Sequence, residues 1–243
     1  MFRSIKWYLK FIGSLIINDP QLKKADKYLE QGNKEQYEDF VTEKVTDWAR
    51  KRITDSGASV NVYGIENLPH KDNVLFVSNH QSNFDILLLL AYLPCPKGFV
   101  AKVELEKFPF VNKWMKRIHC LFMDRNDIKQ SAQIIIEGIK QLKNGINMVI
   151  FPEGTRSKTG ELGEFKSGSF KLASKSKKLI VPLTIDGTRN VMEANNYKIK
   201  PAQINLYIHP PIDSSTLTKE ELAQLPDRVK ATIESKLPYK NII

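Results

Sequence analysis

The chain is poor in the residues that staple or metallate small proteins. It carries two cysteines, Cys95 and Cys120, at no paired spacing. A disulfide framework and a cysteine-based zinc site are excluded, and the chain reads as one that faces the cytosol. Cys120 directly follows His119; on one strand the two point to opposite faces, a poor nucleophile–base pair. There is no Gly-x-Ser-x-Gly elbow, which argues against an acyl-enzyme hydrolase. There is no Walker-type phosphate loop and no Gly-x-Gly-x-x-Gly, so neither ATP nor a dinucleotide is implied. No zinc-finger or RNA-recognition signature is present, and the lysines are scattered rather than interleaved with aromatics. Acidic residues are in deficit, 27 against 37 Lys and Arg, a net charge of +10. That surface invites a polyanion: an anionic membrane or a phosphorylated substrate, with nucleic acid unsupported by any motif.

What is present suits one domain with a real core. The chain has 243 residues, 42% hydrophobic and 26% charged, which excludes intrinsic disorder as the main state. The first residues look like a secretory signal, but the apolar run from Phe11 to Ile17 is short and Asn18-Asp19-Pro20 follows it, not a small-residue cleavage site. A bilayer span needs about 20 apolar residues. Wound as a helix, Phe2, Ile5, Tyr8, Leu9, Phe11, Ile12, Leu15 and Ile16 share one broad face, and Arg3, Lys6 and Lys10 lie opposite. This pattern predicts an interfacial helix on an anionic membrane, with Trp7 at the interface beside the apolar arc; a helix packed on the core by its apolar face is the alternative. A second helix is expected from about Lys34 to Thr54. Residues 1–56 are therefore expected to be an amphipathic two-helix membrane-docking segment, and 57–243 an α/β catalytic domain.

Strands and helices alternate through that domain. Strands are expected at Val60–Tyr63, Val74–Ser78, Cys120–Met123, Ile146–Phe151, Leu179–Ile185 and Ile204–Ile208. Helices are expected at about Phe84–Leu93, Ile128–Lys143 with Asp127 as N-cap, Ser167–Lys177, and from a Thr218/Glu221 capping box to about Leu237. Buried apolar strands separated by helices predict a largely parallel or mixed sheet covered on both faces.

Three loops that leave strands carry the chemistry. In Ser78-Asn79-His80-Gln81-Ser82-Asn83-Phe84-Asp85, four residues separate His80 from Asp85 at a helix start. The turn between them can bring the carboxylate against one imidazole nitrogen and leave the other as a general base. Phe151-Pro152-Glu153-Gly154-Thr155-Arg156-Ser157 offers a guanidinium fork for phosphate and a carboxylate for a hydroxyl, and equally a turn with a surface ion pair. Asp124-Arg125, with Lys102 and Glu104 upstream, adds cations that can converge with Arg156 on an anion, although each alone reads as a solvated charge.

Together these segments resemble the glycerolipid acyltransferases. Asn79-His80 through Asp85 is similar to that family's His, four residues, Asp motif. Lys102-Val-Glu104-Leu-Glu-Lys-Phe-Pro109-Phe, followed by Met123-Asp124-Arg125, resembles the second block. Phe151–Ser157 resembles the third, Phe165-Lys166-Ser-Gly168 the segment after it, and Ile180-Val181-Pro182-Leu183 the fourth. The blocks occur in the family's order over roughly residues 60–210. The chain most resembles the bacterial 1-acylglycerol-3-phosphate acyltransferases.

The resemblance implies transfer of an acyl group from acyl-CoA or acyl carrier protein to the sn-2 hydroxyl of lysophosphatidic acid, giving phosphatidic acid. It implies no metal and no resident cofactor, and a peripheral place on the cytoplasmic face of the membrane. His80 is the implied base and Asp85 its partner. Lys102, Arg125 and Arg156 are implied to hold the acceptor phosphate, and Glu153 and Thr155 to position its glycerol part, with Glu104 and Gly154 in the same site. Backbone N–H groups at the start of the helix after His80 are candidate oxyanion donors. An acyltransferase for glycerol-3-phosphate or another lysophospholipid is the nearest alternative. A non-catalytic membrane-binding module and a metal-dependent phosphoesterase using His80, Asp85 and Glu153 lie further off.

Overall fold

The computed structural model describes residues 2–69 and 72–238, so the outer limits expected at residues 1 and 243 lie outside the described residues. The central strands are β1 (Ser59–Tyr63), β2 (Leu75–Ser78), β3 (Lys97–Lys102), β4 (Leu121–Met123), β5 (Asn147–Ile150), β6 (Leu179–Asp186), β7 (Gln203–Ile208) and β8 (Ile212–Asp213). They form one sheet in the order β1-β7-β6-β2-β5-β3-β4, with β8 also on β6. Pairing is parallel except where β6 meets β7 and β8. The expected mixed sheet flanked by helices is what the chain adopts.

The period-2 alternation of the strands explains why both faces are covered. In β2, Phe76 belongs to one apolar cluster and Leu75 and Val77 to another; in β5, Val149 joins the first and Met148 and Ile150 the second. The first cluster takes in α1 (Phe2–Ile17), α2 (Asp19–Glu30), α3 (Lys34–Ser56) and α4 (Phe84–Tyr92). The second takes in α6 (Ile128–Lys143), α7 (Lys171–Ser176) and α9 (Lys219–Glu234). Two further short helices are α5 (Val111–Arg117) and α8 (Thr188–Val191). Helix α6 has the expected bounds, and Asp127 accepts from the Gln130 N–H at 3.0 Å. The Thr218/Glu221 capping box opens α9.

Pro182 lies within β6 at the point where its antiparallel partner changes. Ile180 pairs with β8, Leu183 pairs with β7, and the Pro182 carbonyl accepts the His209 N–H at 3.0 Å. The N–H that proline lacks would point to the same side, toward the link between β7 and β8, so no ladder bond is lost.

The N-terminal segment departs from expectation in detail. Helices α1 and α3 run antiparallel as a hairpin, with the polar helix α2 between them, where the sequence pattern suggested two helices only. Trp7 does not sit at an interface. It is 3% exposed, its Nε1 donates to the Arg52 carbonyl at 2.8 Å, and its ring lies 5.3 Å from that of Phe84. The basic side of α1 is partly tied to α3: Arg3 Nη1 donates to the Ser56 carbonyl at 3.2 Å, and Lys10 pairs with Asp55. Phe2, Ile5, Leu9, Ile12 and Ile16, spaced at i, i+3 and i+4, are left as an exposed apolar stripe. Among the described residues no helix is long and apolar enough to cross a membrane.

Helix α4 is the centre of the first layer. Leu88 and Leu89 are fully buried, and α3 packs along it. Its last carbonyls, which a helix end leaves without partners, are met by side chains. Thr46 Oγ1 donates to Leu90 at 3.0 Å, Arg50 Nε to Ala91 at 3.0 Å, and Lys97 Nζ to Leu93 at 2.7 Å. With its far end secured, α4 presents its N-terminus, and Asp85, to the loop that carries His80.

Candidate active site

The loop from Asn79 to Asn83 begins where β2 leaves the sheet. Asn79 continues the ladder with its side chain: Nδ2 donates to the Ile185 carbonyl and Oδ1 accepts the Ile185 N–H, both at 2.8 Å. The next residue is His80, which is held from four sides. Its Nδ1 lies 2.7 Å from Asp85 Oδ2. Its N–H donates to Glu153 Oε1 at 2.7 Å, and its carbonyl accepts the Ser157 N–H at 2.8 Å. Its ring stacks on Phe151, with centroids 4.1 Å apart and planes 16° apart. Among the described residues nothing engages Nε2.

Asp85 is wholly buried and saturated with donors. Besides His80, Oδ2 accepts the N–H groups of Gln81 at 2.7 Å and Ser82 at 2.8 Å. Oδ1 accepts the Thr188 hydroxyl at 2.5 Å. The Asn83 N–H donates to Glu193 Oε1 at 2.9 Å, and the Phe84 N–H to Ser82 Oγ at 3.0 Å. Every backbone N–H from Gln81 to Phe84 is thus engaged inside the protein. The oxyanion donors expected there are not free, because the turn that brings Asp85 to His80 uses them.

The Phe151–Ser157 loop emerges as a brace for His80. Glu153 is 9% exposed, and its second oxygen accepts the Gly163 N–H at 2.9 Å. Burial pushes its carboxyl above the ordinary value, and the two amide hydrogen bonds oppose this. Gly154 has φ +74°, and a Cβ there would meet Lys166 Nζ at 3.1 Å. Arg156 Nη1 pairs with Glu193 Oε1 at 2.7 Å. Glu193 also accepts the Ser82 hydroxyl, so one carboxylate ties the His80 loop to Arg156.

These elements border a groove of about 1840 Å³. His80, Lys102, Arg125, Gly154, Thr155 and Arg156 line it, and so does Lys166. Its apolar walls include Ile12 and Leu15 of α1, Phe84, Ile86, Leu87 and Leu90 of α4, and Ile135 and Ile139 of α6. Asp85 and Glu153 lie behind the lining. Glu104 is not part of it: it pairs with Lys102 at 2.6 Å, with both side chains more than half exposed. Burial pushes the Cys120 thiol up to about 12 against the opposing pull of a hydrogen bond with the Phe99 backbone, an inert side chain, and His119 turns away to Glu38 at 2.9 Å.

Sequence spacing found His80 and Asp85 but gave no role to Thr188 and Glu193, which reach the site from beyond β6. The sequence signal for Lys166 is the Phe165–Gly168 segment that contains it, and the structure sets it over Gly154. The phosphoesterase alternative finds no ligand set. Among the described residues no group of three His, Cys, Asp or Glu could hold a metal ion, and Asp85 and Glu153 face N–H and O–H donors.

Comparison with known proteins follows the same lines. The Acyltransferase family profile matches residues 59–186. A 1-acyl-sn-glycerol-3-phosphate acyltransferase of Borreliella burgdorferi is 33% identical over 182 residues, 75% of this chain and 73% of that protein. A probable 1-acyl-sn-glycerol-3-phosphate acyltransferase of Mycoplasma pneumoniae is 38% identical over 61% of this chain, which is 56% of its own length. The crystal structure of the 1-acyl-sn-glycerophosphate acyltransferase PlsC from Thermotoga maritima superposes with a TM-score of 0.85 at 27% identity, covering 96% of this chain and 92% of that one. The mixed sheet, the N-terminal helical hairpin and the matched blocks agree: the chain belongs to the acyltransferase family.

Proposed function

We propose that this protein transfers a fatty acyl group from an acyl thioester to the sn-2 hydroxyl of 1-acylglycerol-3-phosphate, forming phosphatidic acid. The observation that carries the reading is the His80–Asp85 pair. A buried, fully hydrogen-bonded carboxylate fixes Nδ1–H, and the opposite ring nitrogen, without a partner among the described residues, lies on the wall of an apolar groove. His80 Nε2 takes the proton of the sn-2 hydroxyl as that oxygen attacks the thioester carbonyl. Asp85 stabilises the imidazolium that forms. The tetrahedral intermediate collapses by breaking the C–S bond, and the thiolate of coenzyme A or acyl carrier protein takes the proton from His80. No acyl-enzyme and no metal enter this sequence.

The cations on the lining support a phosphate-bearing acceptor. Arg125, Arg156 and Lys102 are the expected set, and Lys166 joins them. Thr155, exposed on the lining, suits the glycerol part; Glu153, held by two backbone amides, suits the placement of His80 instead. The exposed α1 stripe supports docking on an anionic membrane surface, where the acceptor resides.

The test is incubation with lysophosphatidic acid and either acyl-CoA or acyl carrier protein loaded with the same chain, followed by product analysis. Glycerol-3-phosphate and headgroup-bearing lysophospholipids serve as competing acceptors. Phosphatidic acid is the expected product, and His80→Ala is expected to lower turnover by about 10²–10⁴-fold with the fold intact. Near-wild-type turnover in that variant, or a stronger preference for another acceptor, refutes the assignment.

A further inference from the structure

The two oxygens of Asp85 are used unequally. Oδ2 serves His80, Gln81 and Ser82, whereas Oδ1 has one partner among the described residues, the hydroxyl of Thr188 at 2.5 Å. Both residues are wholly buried. The carboxylate torsion is intrinsically soft and two-fold. Three donors hold Oδ2, and the donor on Oδ1, across the Cβ–Cγ axis, is the further restraint that narrows the torsion. Thr188 is itself fixed by the sheet. It follows β6 directly through Gly187, whose φ is +85° and where a Cβ would come within 2.1 Å of the Gln203 carbonyl oxygen. Strand β6 pairs with β2, the strand that leads to His80. The hydroxyl and the imidazole are therefore referenced to neighbouring strands of one sheet.

We infer that Thr188 is a positioning residue for the acyl transfer: its hydroxyl sets the plane of the Asp85 carboxylate and so the aim of the His80 ring. The inference rests on His80 acting as the base. Thr188 does not line the groove, and its hydroxyl donates to Asp85, so the hydrogen bond that the inference invokes reaches His80 through Asp85. Valine keeps the shape of threonine and removes the donor, leaving a buried charged oxygen unmet.

The experiment compares Thr188→Val and Thr188→Ser in steady-state assays with lysophosphatidic acid and acyl-CoA, with folding followed by thermal melts. Thr188→Val is expected to lose about 10- to 100-fold in kcat, the loss of one hydrogen bond to a charged group, with both KM values within about twofold. Thr188→Ser, which keeps the hydroxyl, is expected to hold kcat within about threefold of wild type. Wild-type kcat in the valine variant, an equal loss in the serine variant, or a loss confined to KM overturns the inference. If the valine variant does not fold, Thr188→Cys replaces it: similar in size to serine but a weak donor, it is expected to fall well below Thr188→Ser, and equality overturns the inference. His80→Ala separates the two levels. Activity surviving there sinks the base assignment, whereas an inactive His80→Ala beside a fully active Thr188→Val sinks the role of Thr188 alone.

Discussion

Replacing Glu153 by glutamine separates two roles that sequence and structure give it. The motif reading places Glu153 on the acceptor's glycerol; the structure places its oxygens on the N–H groups of His80 and Gly163, at 2.7 and 2.9 Å. Glutamine has nearly the same shape but offers one acceptor oxygen and one NH₂. Whichever way the amide turns, one of the two backbone N–H groups faces another donor. A hydrogen bond to a charged group is worth about 1.5–3 kcal/mol. Losing one such bond on the His80 side loosens the backbone that carries the base. Expressed as misplacement of His80, this gives about a 10- to 100-fold fall in kcat with the acceptor KM nearly unchanged. Global stability should move less than that energy suggests, because burial already pushes the Glu153 carboxyl above its ordinary value of 4.5. The raised value also fixes a sign. The stability that glutamate gives relative to glutamine is fully present below pH 4.5 and is lost as pH rises through the folded value. Steady-state kinetics with varied acceptor, together with urea melts from pH 4 to 8, provide the readout. An acceptor KM raised tenfold or more at unchanged kcat would refute the brace and restore the glycerol contact (a loss of about 1.4 kcal/mol or more in ground-state binding).

Three further outcomes follow from the geometry. Arg156→Ala should raise the acceptor KM by about tenfold while the thioester KM stays within about twofold; an equal effect on both argues against a phosphate at this guanidinium. His209 is buried, and burial, with Lys236 nearby, lowers its pKa from 6.5 to about 4. Thr184 Oγ1 donates its proton to the Ile233 carbonyl at 2.7 Å, so His209 donates to Thr184 from Nε2, at 2.8 Å, as a neutral ring. The stability this neutral ring provides is present above 6.5 and lost as pH falls through about 4, amounting to about 3 kcal/mol; His209→Gln should flatten urea midpoints over that range, and an unchanged slope would disprove the account. Ile5→Glu combined with Leu9→Glu, both exposed and outside the groove lining, should abolish sedimentation with anionic vesicles while leaving turnover of a short-chain, water-soluble acceptor intact; unaltered sedimentation would show that the α1 stripe does not meet the lipid.

Much of this architecture is legible where local signals are strong. The unbroken apolar runs of β2 and β5 mark a sheet buried on both faces, and Asp127 and Thr218 mark helix starts by their own side-chain bonds. Strand β3 escapes notice because Pro96 and Gly98 read as a turn, and Lys97 reads as surface although its ammonium is buried against the Leu93 and Cys95 carbonyls. Helix α2 buries only Leu22 and Ala25, too few apolar positions to show a period. For α1 the helical wheel shows an apolar arc but not which edge of it meets protein; Trp7 and Phe11 pack inward, and the stripe of Leu9 and Ile12 stays out. At the site, His80 and Asp85 are legible because six consecutive positions contain both. The bracing role of Glu153, and any role for Thr188 and Glu193, are not, since their partners lie 73, 103 and about 110 positions away.

The groove joins the exposed stripe of α1 to His80 through a continuous apolar wall, and this sets a rule for ligands with alkyl chains. Each methylene laid along that wall is worth about 0.8 kcal/mol relative to water, close to fourfold in occupancy. Affinity should therefore climb geometrically with chain length until the wall is covered and then stop. The carbon number at that break would measure the length of the groove, using the substrate as the ruler.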